Sequence, residues 1–355
     1  MGYFNGGVWM NILEHGAGDY FHGVVDVCEG DEGVWLKRVT DLQMAHYESC
    51  NDRWPLRARC DAGGALVLRT NSKTLDVSFK VVEGARQYLG LDVEVDGVVV
   101  RSVYVDDYLK SDGVRITNNA QGVAWVRSDG EGAFTVRLYA YEDREERAVW
   151  VHLPQSVGLV FAGVVIEEGA SVVAVEKPKQ KLLCLGDSIT QGMDAMSPMT
   201  AYTTQLARLL DAELLNQGVG GHIFDVDSFD AALDFEADIV TIAYGTNDWN
   251  GNTPVAEIQE NVRAYLEKVR ARYSLAEIFV LSPIWRTIGD EVREGGTLWD
   301  FSRVILETAG AFKNVRCLDG LAMMPHQEHL LPDGTHPNDE GFLHYGLNLY
   351  RAIKR

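Results

Sequence analysis

The sequence predicts an α/β protein in two parts: an all-β sandwich of jelly-roll-like type, then a domain whose parallel sheet is covered by helices on both faces. A length of 355 residues favours two domains, or one large one. The first half contains short strand-like runs separated by turns, whereas the second half alternates strand-like runs with segments of helical periodicity. The composition, 46% hydrophobic and 24% charged, is typical of a folded globular chain.

The first predicted domain, residues 1–175, contains strands and no long helical periodicity. Its clearest local signal is Asp96-Gly97 between two β-branched runs, which predicts a hairpin. Strands at this spacing favour a sandwich. The polar segment 176–181 is the predicted linker. The strand-like runs are Val34–Thr40, Ala65–Thr70, Leu75–Val82, Leu91–Val105, Phe134–Tyr141, Ala148–Leu153 and Leu159–Ile166.

The second predicted domain, residues 182–355, alternates strands with helices. Over Ala256–Tyr273 the apolar residues recur at spacings of three and four, which predicts an amphipathic helix. Such alternation predicts parallel strands, whose C-terminal ends share one edge of the sheet and carry active sites. The predicted strands are Lys181–Leu185, Glu213–Leu215, Asp238–Tyr244, Glu277–Leu281 and Val315–Leu318, and the further helices are Thr297–Phe312 and Asp339–Ile353.

The chain is strongly acidic, with 32 Lys and Arg against 52 Asp and Glu and a net charge of −20. Such a surface repels phosphate backbones and anionic lipids, so neither nucleic acid nor a membrane is an expected partner. The N-terminal segment lacks the features of a signal peptide. Five cysteines without a CxxC pair indicate free thiols and a cytoplasmic location: Cys28, Cys50, Cys60, Cys184 and Cys317.

A serine follows the first strand of the second domain. Gly186-Asp187-Ser188 stands where a strand meets a helix, and backbone N–H groups at a helix start can stabilise developing negative charge. A serine hydroxyl needs a general base before it can attack an ester at neutral pH. Taken alone, a serine after Asp at a helix start is usually part of an N-terminal cap.

Further polar motifs follow the later strands. The glycine-rich turn 216–222 lets backbone N–H groups approach a ligand, although a plain tight turn is the alternative. Asn247 can donate an amide hydrogen to an oxyanion, or it can cap the next helix. Asp333 precedes His336 by three residues, so its carboxylate can orient the imidazole as a base. An Asp turn followed by an incidental His explains this pair equally well.

Together these motifs lie in order at successive strand ends, and over residues 181–355 they resemble the SGNH, or GDSL-type, hydrolase superfamily. The resemblance implies a three-layer, flavodoxin-like domain. It also implies that Ser188 is the nucleophile, His336 the base and Asp333 the orienting acid. The reaction implied is ester hydrolysis through an acyl-enzyme, with no metal and no other cofactor.

The same resemblance implies an oxyanion hole. Its donors would be the backbone N–H groups of Ser188 and Gly221 and the side-chain amide of Asn247. Gly220 is the alternative to Gly221, because both residues stand in the glycine pair of the turn.

An all-β domain ahead of such a hydrolase domain resembles carbohydrate esterase family two, on domain order and on the stretch from Val151–Pro154 to Ser188. This implies a serine esterase that removes O-acetyl groups from acetylated carbohydrates, with xylo- or manno-oligosaccharides as substrates. A homo-oligomer is compatible with it. The alternatives are a broad-specificity, lipase-like short-chain acylhydrolase and a carbohydrate-binding protein with little turnover.

Two tryptophans, Trp249 and Trp285, directly follow strand-end motifs. A flat indole can stack on a sugar ring or form a wall of a small acyl pocket, so both are candidate substrate contacts. Packing in the core or at the rim explains them equally well. The other tryptophans considered, Trp35, Trp54, Trp125 and Trp150, fall in the β domain, and most of them are expected in its core.

Overall fold

The computed structural model describes residues 9–82, 84–86, 88, 90–104, 114–118, 124–128 and 134–355. Among these residues the N-terminal part has fourteen strands, and all of the pairings described among them are antiparallel. The strands are β1 Trp9–Asn11, β2 Phe21–His22, β3 Asp26–Gly30, β4 Gly33–Lys37, β5 Ala65–Thr70, β6 Thr74–Val81, β7 Leu91–Val95, β8 Val98–Val103, β9 Val114–Asn118, β10 Ala124–Ser128, β11 Phe134–Ala140, β12 Arg147–His152, β13 Leu159–Glu167 and β14 Val172–Ala174.

Two sheets share one hydrophobic core in this part of the chain. One sheet has the order β11-β6-β13-β4-β3, with β1 on β13, and the other has β14-β5-β12-β7-β8, with β2 on β5. Alternate side chains point inward, as Leu75, Val77 and Phe79 do from one sheet and Leu66 and Leu68 from the other. Jelly-roll connectivity stays a prediction.

The predicted hairpin is present, since β7 and β8 pair on either side of Asp96-Gly97. The last residue of that predicted run, Val105, lies outside the described residues, as does the side chain of Trp125.

Two helices in the first half are absent from the sequence prediction: α1, Asp41–Cys50, and α2, Arg53–Ala58. The predicted strand Val34–Thr40 stops at Lys37, and Thr40 instead begins α1 through a capping box with Gln43. Helix α1 buries only Gln43 and Tyr47, so it has no apolar stripe for a sequence pattern to reveal.

The C-terminal part contains a five-stranded parallel sheet in the order β16-β15-β17-β18-β19. This 2-1-3-4-5 order is flavodoxin-like, and its switch point is at the first strand, which leads to Ser188. The strands are β15 Gln180–Gly186, β16 Ala212–Gly218, β17 Ile239–Ala243, β18 Glu277–Leu281 and β19 Val315–Leu318; the helices are α3 Ser188–Gln191, α4 Tyr202–Leu210, α5 Thr246–Asn250, α6 Val255–Arg272, α7 Leu298–Gly310 and α8 Asp339–Ile353.

Helices cover both faces of this sheet, as the sequence predicts. Leu183 and Leu185 of β15 point into a core shared with α6 and α7, whereas Leu182 and Cys184 point into a core shared with α4 and α8. Among the residues described, no helix is long and apolar enough to cross a bilayer.

A buried arginine joins the two halves. Arg38 is 3% exposed, and its guanidinium donates to Cys60 O at 2.7 Å and Arg57 O at 2.6 Å on the N-terminal side. It also donates to Asn216 O at 2.9 Å and Gly218 O at 2.7 Å, at the end of β16. The predicted linker 176–181 overlaps β15, which begins at Gln180. The division into two domains stays a prediction.

Candidate active site

Ser188 lies at the turn between β15 and α3. Asp187 is the N-cap, and its Oδ1 accepts a hydrogen bond from Ile189 N at 2.9 Å. The N–H of Ser188, at the first helical position, has no intrahelical acceptor and remains available to a ligand. A Cβ at Gly186 would stand 2.0 Å from Thr190 Oγ1, so the tight turn requires glycine there.

The structure brings Ser188, His336 and Asp333 together in one hydrogen-bonded chain. The distance from Ser188 Oγ to His336 Nε2 is 2.8 Å, and that from His336 Nδ1 to Asp333 Oδ2 is 2.6 Å. An imidazole that donates from Nδ1 to the carboxylate leaves Nε2 free to accept the serine proton. This is the arrangement in which a serine hydroxyl is activated by a general base.

Asp333 is fixed by its own loop. Its Oδ1 accepts from the backbone N–H of His336 at 2.7 Å and of Thr335 at 2.9 Å. Partial burial raises the pKa of Asp333, but the hydrogen bonds and the charge of His336 outweigh it, and the net pKa is well below the usual value. The carboxylate therefore stays ionised at neutral pH.

Arg286 holds the same loop from the other side. This buried guanidinium donates to Thr335 Oγ1 at 2.7 Å and to Gly334 O at 3.3 Å, and it also reaches Asn250 Oδ1 at 2.7 Å. It thus ties the Asp333–His336 loop to the helix that begins after β17. The sequence offered no signal for Arg286 beyond its position one residue after Trp285.

A second carboxylate reaches the same imidazole nitrogen. Asp194 Oδ2 lies 3.6 Å from His336 Nδ1, and Asp194 Oδ1 lies 3.0 Å from Arg86 Nε, which comes from the N-terminal part. Burial raises the pKa of Asp194, and the charges of His336 and Arg86 offset only part of that rise. The backbone of Asp194 is left-handed, with φ 72°. His336 is therefore flanked by two acids, one more than the sequence motifs predict.

The glycine-rich turn lies beside Ser188. Gly221 has φ 78°, and its N–H has no hydrogen-bond acceptor within the described part of the chain. The N–H of Gly220, the alternative donor, is already committed to Gln191 Oε1 at 2.9 Å. Asn247 Nδ2 donates to His222 O at 2.9 Å and faces Asp187 Oδ2 at 3.4 Å. The geometry therefore favours Gly221 over Gly220 as an oxyanion donor.

The N-terminal part contacts this turn directly. Arg57 Nη1 donates to Gly220 O at 2.6 Å, and a Cβ on Gly221 would stand 2.5 Å from the same Nη1. Burial lowers the pKa of Arg57 to about 10. Trp54 is half-buried, and its ring centre lies 4.6 Å from that of His222. Trp54 thus packs beside the glycine-rich turn, in a small cluster apart from the sandwich core.

The two predicted substrate tryptophans differ in position. Trp249 is 0% exposed, lies in the core shared with α6 and α7, and donates from Nε1 to Gly296 O at 3.0 Å. Its indole presents no face to a substrate, so the predicted contact for Trp249 is wrong and core packing is its role. Trp285 is half-buried and stacks on His326, with ring centres 5.1 Å apart and planes at 8°.

Buried acids surround the serine turn. Burial raises the pKa of Asp187 to about 6 and that of Asp248 to about 7. Asp248 Oδ1 accepts from Phe224 N at 3.1 Å, whereas its Oδ2 has no partner among the described residues. The protonation state of Asp248 is consequently sensitive to pH near neutrality.

A separate cleft of about 560 Å³ lies between the two halves, near the start of β16, and it includes neither Ser188 nor His336. Its wall contains a row of charged or titratable groups: Arg208 Nη2 is 2.9 Å from Glu94 Oε2, which is 3.5 Å from His152 Nε2. It adds no group to the serine site.

Residues 184–342 match the model of the GDSL-like lipase/acylhydrolase family, and the match includes Ser188, Asp333 and His336. The predicted resemblance of these residues to the GDSL-type hydrolases is therefore confirmed, and the match supports an ester hydrolase. A search of curated protein sequences finds no match.

Solved structures share the fold over almost the whole chain. The salicylyl-acyltransferase SsfX3 from a tetracycline biosynthetic pathway has a TM-score of 0.77 at 21% identity, covering 99% of this chain and 98% of that one. A family two carbohydrate esterase from Clostridium thermocellum, in complex with cellohexaose, has a TM-score of 0.63 at 15% identity, covering 94% and 97%. An acetyl xylan esterase from Butyrivibrio proteoclasticus has a TM-score of 0.60 at 14% identity, covering 98% of both chains.

Proposed function

We propose that the protein is a serine esterase that removes O-acetyl groups from acetylated carbohydrates through an acyl-enzyme. The observation that carries this proposal is the hydrogen-bonded chain from Ser188 Oγ through His336 to Asp333, at 2.8 Å and 2.6 Å. Such a chain supplies a nucleophile, a base and an orienting acid without a cofactor.

The reaction follows from these positions. Ser188 Oγ attacks the acetyl carbonyl carbon as His336 Nε2 takes the hydroxyl proton. The resulting oxyanion is stabilised by the N–H groups of Ser188 and Gly221 and, after a small side-chain shift, by Asn247 Nδ2. Collapse breaks the ester bond, and His336 gives its proton to the departing sugar oxygen. Water then repeats the sequence on the acetyl-serine, releasing acetate and regenerating Ser188.

Three features support a carbohydrate substrate. Two of the compared structures are carbohydrate esterases, and one of them contains cellohexaose. Trp54 and Trp285 are only half-buried at the level of the strand ends, and indoles suit the faces of sugar rings. A net charge of −20 favours a neutral ligand over a polyanion such as pectate. Xylo- and manno-oligosaccharides are the proposed substrates.

A second candidate is a broader acyl hydrolase or acyltransferase. Similarity to a salicylyl-acyltransferase over 99% of the chain favours it, because the same serine chemistry can accept a larger acyl group or pass it to an alcohol. A carbohydrate-binding protein with little turnover is the remaining alternative.

The test is acetate release from a panel of acetylated oligosaccharides, together with hydrolysis of aryl esters from acetate to octanoate. Ser188→Ala is expected to lower kcat by about 10⁴- to 10⁶-fold. The matched control is Ser302→Ala, because Ser302 is also buried, lies in α7, and its Oγ has no hydrogen-bond partner among the described residues. This variant is expected to retain full activity.

The outcomes separate the candidates. A steep loss of rate with acyl length, and release of acetate from sugars that depends on Ser188, support the proposal. Equal rates on acetate and octanoate favour the broader acyl hydrolase. Transfer of the acyl group to an added alcohol in preference to water favours the transferase. Binding of xylo-oligosaccharide without Ser188-dependent turnover favours the binding protein.

A further inference from the structure

We propose that His46, Cys50 and Asp225, with His222 as a fourth ligand, form a binding site for Zn²⁺ or a similar transition-metal ion. These groups lie outside the hydrogen-bonded chain of Ser188, His336 and Asp333. His46 and Cys50 belong to α1, whereas Asp225 and His222 follow β16. Imidazole nitrogen, thiolate sulfur and carboxylate oxygen are the ligand atoms that zinc takes in proteins.

The distances suit one shared ion. One ligand atom from each of His46, Cys50 and Asp225 lies within 4.8 Å of the others. Cys50 Sγ is 3.7 Å from His46 Nε2, close to the roughly 3.3–3.6 Å that tetrahedral zinc bond lengths impose between ligands. His46 Nε2 and Asp225 Oδ2 are now hydrogen-bonded at 2.6 Å and would separate by about 0.7 Å around an ion.

The local structure orients the ligands in advance. His46 and Cys50 are four residues apart on one helix, so they project from the same face. Asp225 Oδ1 accepts from Asp227 N at 3.0 Å, which leaves Oδ2 directed at His46. An outer hydrogen bond of this kind fixes a ligating carboxylate in known metal sites.

His222 supplies the independent observation. Its ring is 0% exposed, and neither of its nitrogens has a hydrogen-bond partner among the described residues. A buried polar group without a hydrogen-bond partner destabilises the folded state. Its Nε2 lies 4.0 Å from Asp225 Oδ2, the oxygen that His46 also contacts. His222 is not among the three residues whose ligand atoms lie within 4.8 Å of one another, so its ring must move toward the ion before the unpaired nitrogen can bind it.

An ion here would join the two halves at the glycine-rich turn. His222 O accepts the amide hydrogen of Asn247, so a ligand bond to His222 holds a backbone that contacts a proposed oxyanion donor. Binding replaces the Cys50 S–H bond by a metal–sulfur bond and releases that proton to solvent. The His46 proton moves from Nε2 to Nδ1, so the ring remains neutral.

The experiment uses the full-length protein, stripped with a chelator and titrated with Zn²⁺ and with Co²⁺. We expect one Zn²⁺ per chain and a cobalt–thiolate charge-transfer absorption. Cys50→Ser should abolish that absorption and weaken Zn²⁺ binding by more than about 100-fold, exceeding the loss of an outer-sphere partner. His46→Gln should weaken binding comparably. Cys28→Ser is the matched control, since its thiol also lies near a carboxylate, 3.6 Å from Asp26 Oδ2, but belongs to no group of three metal-ligand residues in the described part of the chain.

Unchanged Zn²⁺ affinity in Cys50→Ser would overturn the proposal, as would an equal loss in Cys28→Ser or the absence of stoichiometric binding. An unchanged cobalt spectrum in His222→Asn would overturn the role of His222. None of these readouts depends on esterase activity, so the test remains decisive if the proposed function fails.

Discussion

Replacing Asp333 by alanine is expected to lower kcat of the proposed esterase by only about 300-fold. In hydrolases with a single orienting acid, removal of that acid costs about 10⁴-fold or more. The difference comes from Asp194, whose Oδ2 stands 3.6 Å from the same His336 Nδ1. With Asp333 gone, Asp194 can still stabilise the imidazolium that forms when Ser188 loses its proton.

The size of the residual support follows from charge and distance. Two unit charges about 4 Å apart attract by about 4 kcal/mol at an effective dielectric constant near 20. Arg86 Nε, 3.0 Å from the other oxygen of Asp194, offsets part of that attraction. If about half remains, roughly 2 kcal/mol or about 30-fold in rate is retained. Dividing about 10⁴ by about 30 gives the expected loss of about 300-fold.

The assay is a double-mutant cycle on kcat with an aryl acetate, with Tm measured for every variant. Asp194→Asn alone should reduce kcat a few-fold, and Asp333→Ala with Asp194→Asn should reach about 10⁴-fold. Asp143→Asn controls for the change in net charge, because Asp143 is an exposed acid in the N-terminal part. The reasoning is refuted if Asp333→Ala alone loses about 10⁴-fold and Asp194→Asn adds nothing to it.

Three further predictions concern the free energy of unfolding and the glycine-rich turn. Arg38→Met should lower the free energy of unfolding by about 3–5 kcal/mol in urea titrations, because four carbonyl groups lose their hydrogen-bond donor. Arg59→Met is the control: Arg59 forms an exposed ion pair, so the change should be less than about 1 kcal/mol. Because burial raises the pKa of Asp248 to about 7, the folded state retains a proton that the unfolded chain releases above about pH 4. The free energy of unfolding therefore falls as pH rises from about 4 to about 7, and Asp248→Asn should reduce that slope; an identical slope in the variant would contradict the assignment. Gly221→Ala should lower kcat by about 10²-fold, because Gly221 has φ 78° and the new Cβ would collide with Arg57. Gly97→Ala is the control: Gly97 also has positive φ, but a Cβ there meets no atom, so kcat should be unchanged.

Much of the catalytic half is predictable because parallel strands impose a simple rule. The residues after each strand must meet at one edge, and the structure does place Ser188, Asn247 and His336 there. Both ends of helix α6 are predicted to within one residue: the prediction is Ala256–Tyr273 and the helix spans Val255–Arg272. The prediction succeeds because the buried residues recur at helical spacing. Periodicity and topology are local properties, and a single sequence displays them.

The features of the site that the sequence does not predict depend on contacts between segments distant in the chain. Asp194 sits on a loop with no periodic pattern, and its partner Arg86 is 108 residues away. Trp54 and Arg57 contact the glycine-rich turn only because the N-terminal part packs against it. Trp249 follows a strand end, as a substrate contact would, but α5 turns its indole into the core. Neither composition nor spacing encodes such packing.

The acceptors of Arg38 are all main-chain oxygens, of Cys60, Arg57, Asn216 and Gly218. Every amino acid has such an oxygen. Substitution of the acceptor residues therefore preserves these hydrogen bonds as long as the backbone conformation is unchanged. The donor has no such latitude, because lysine cannot reproduce a planar fork that serves four carbonyls. Position 38 is therefore sensitive to substitution. A saturation library should show it to be intolerant, and exchanging the acceptor residues should not rescue the variants, because the acceptors are main-chain oxygens.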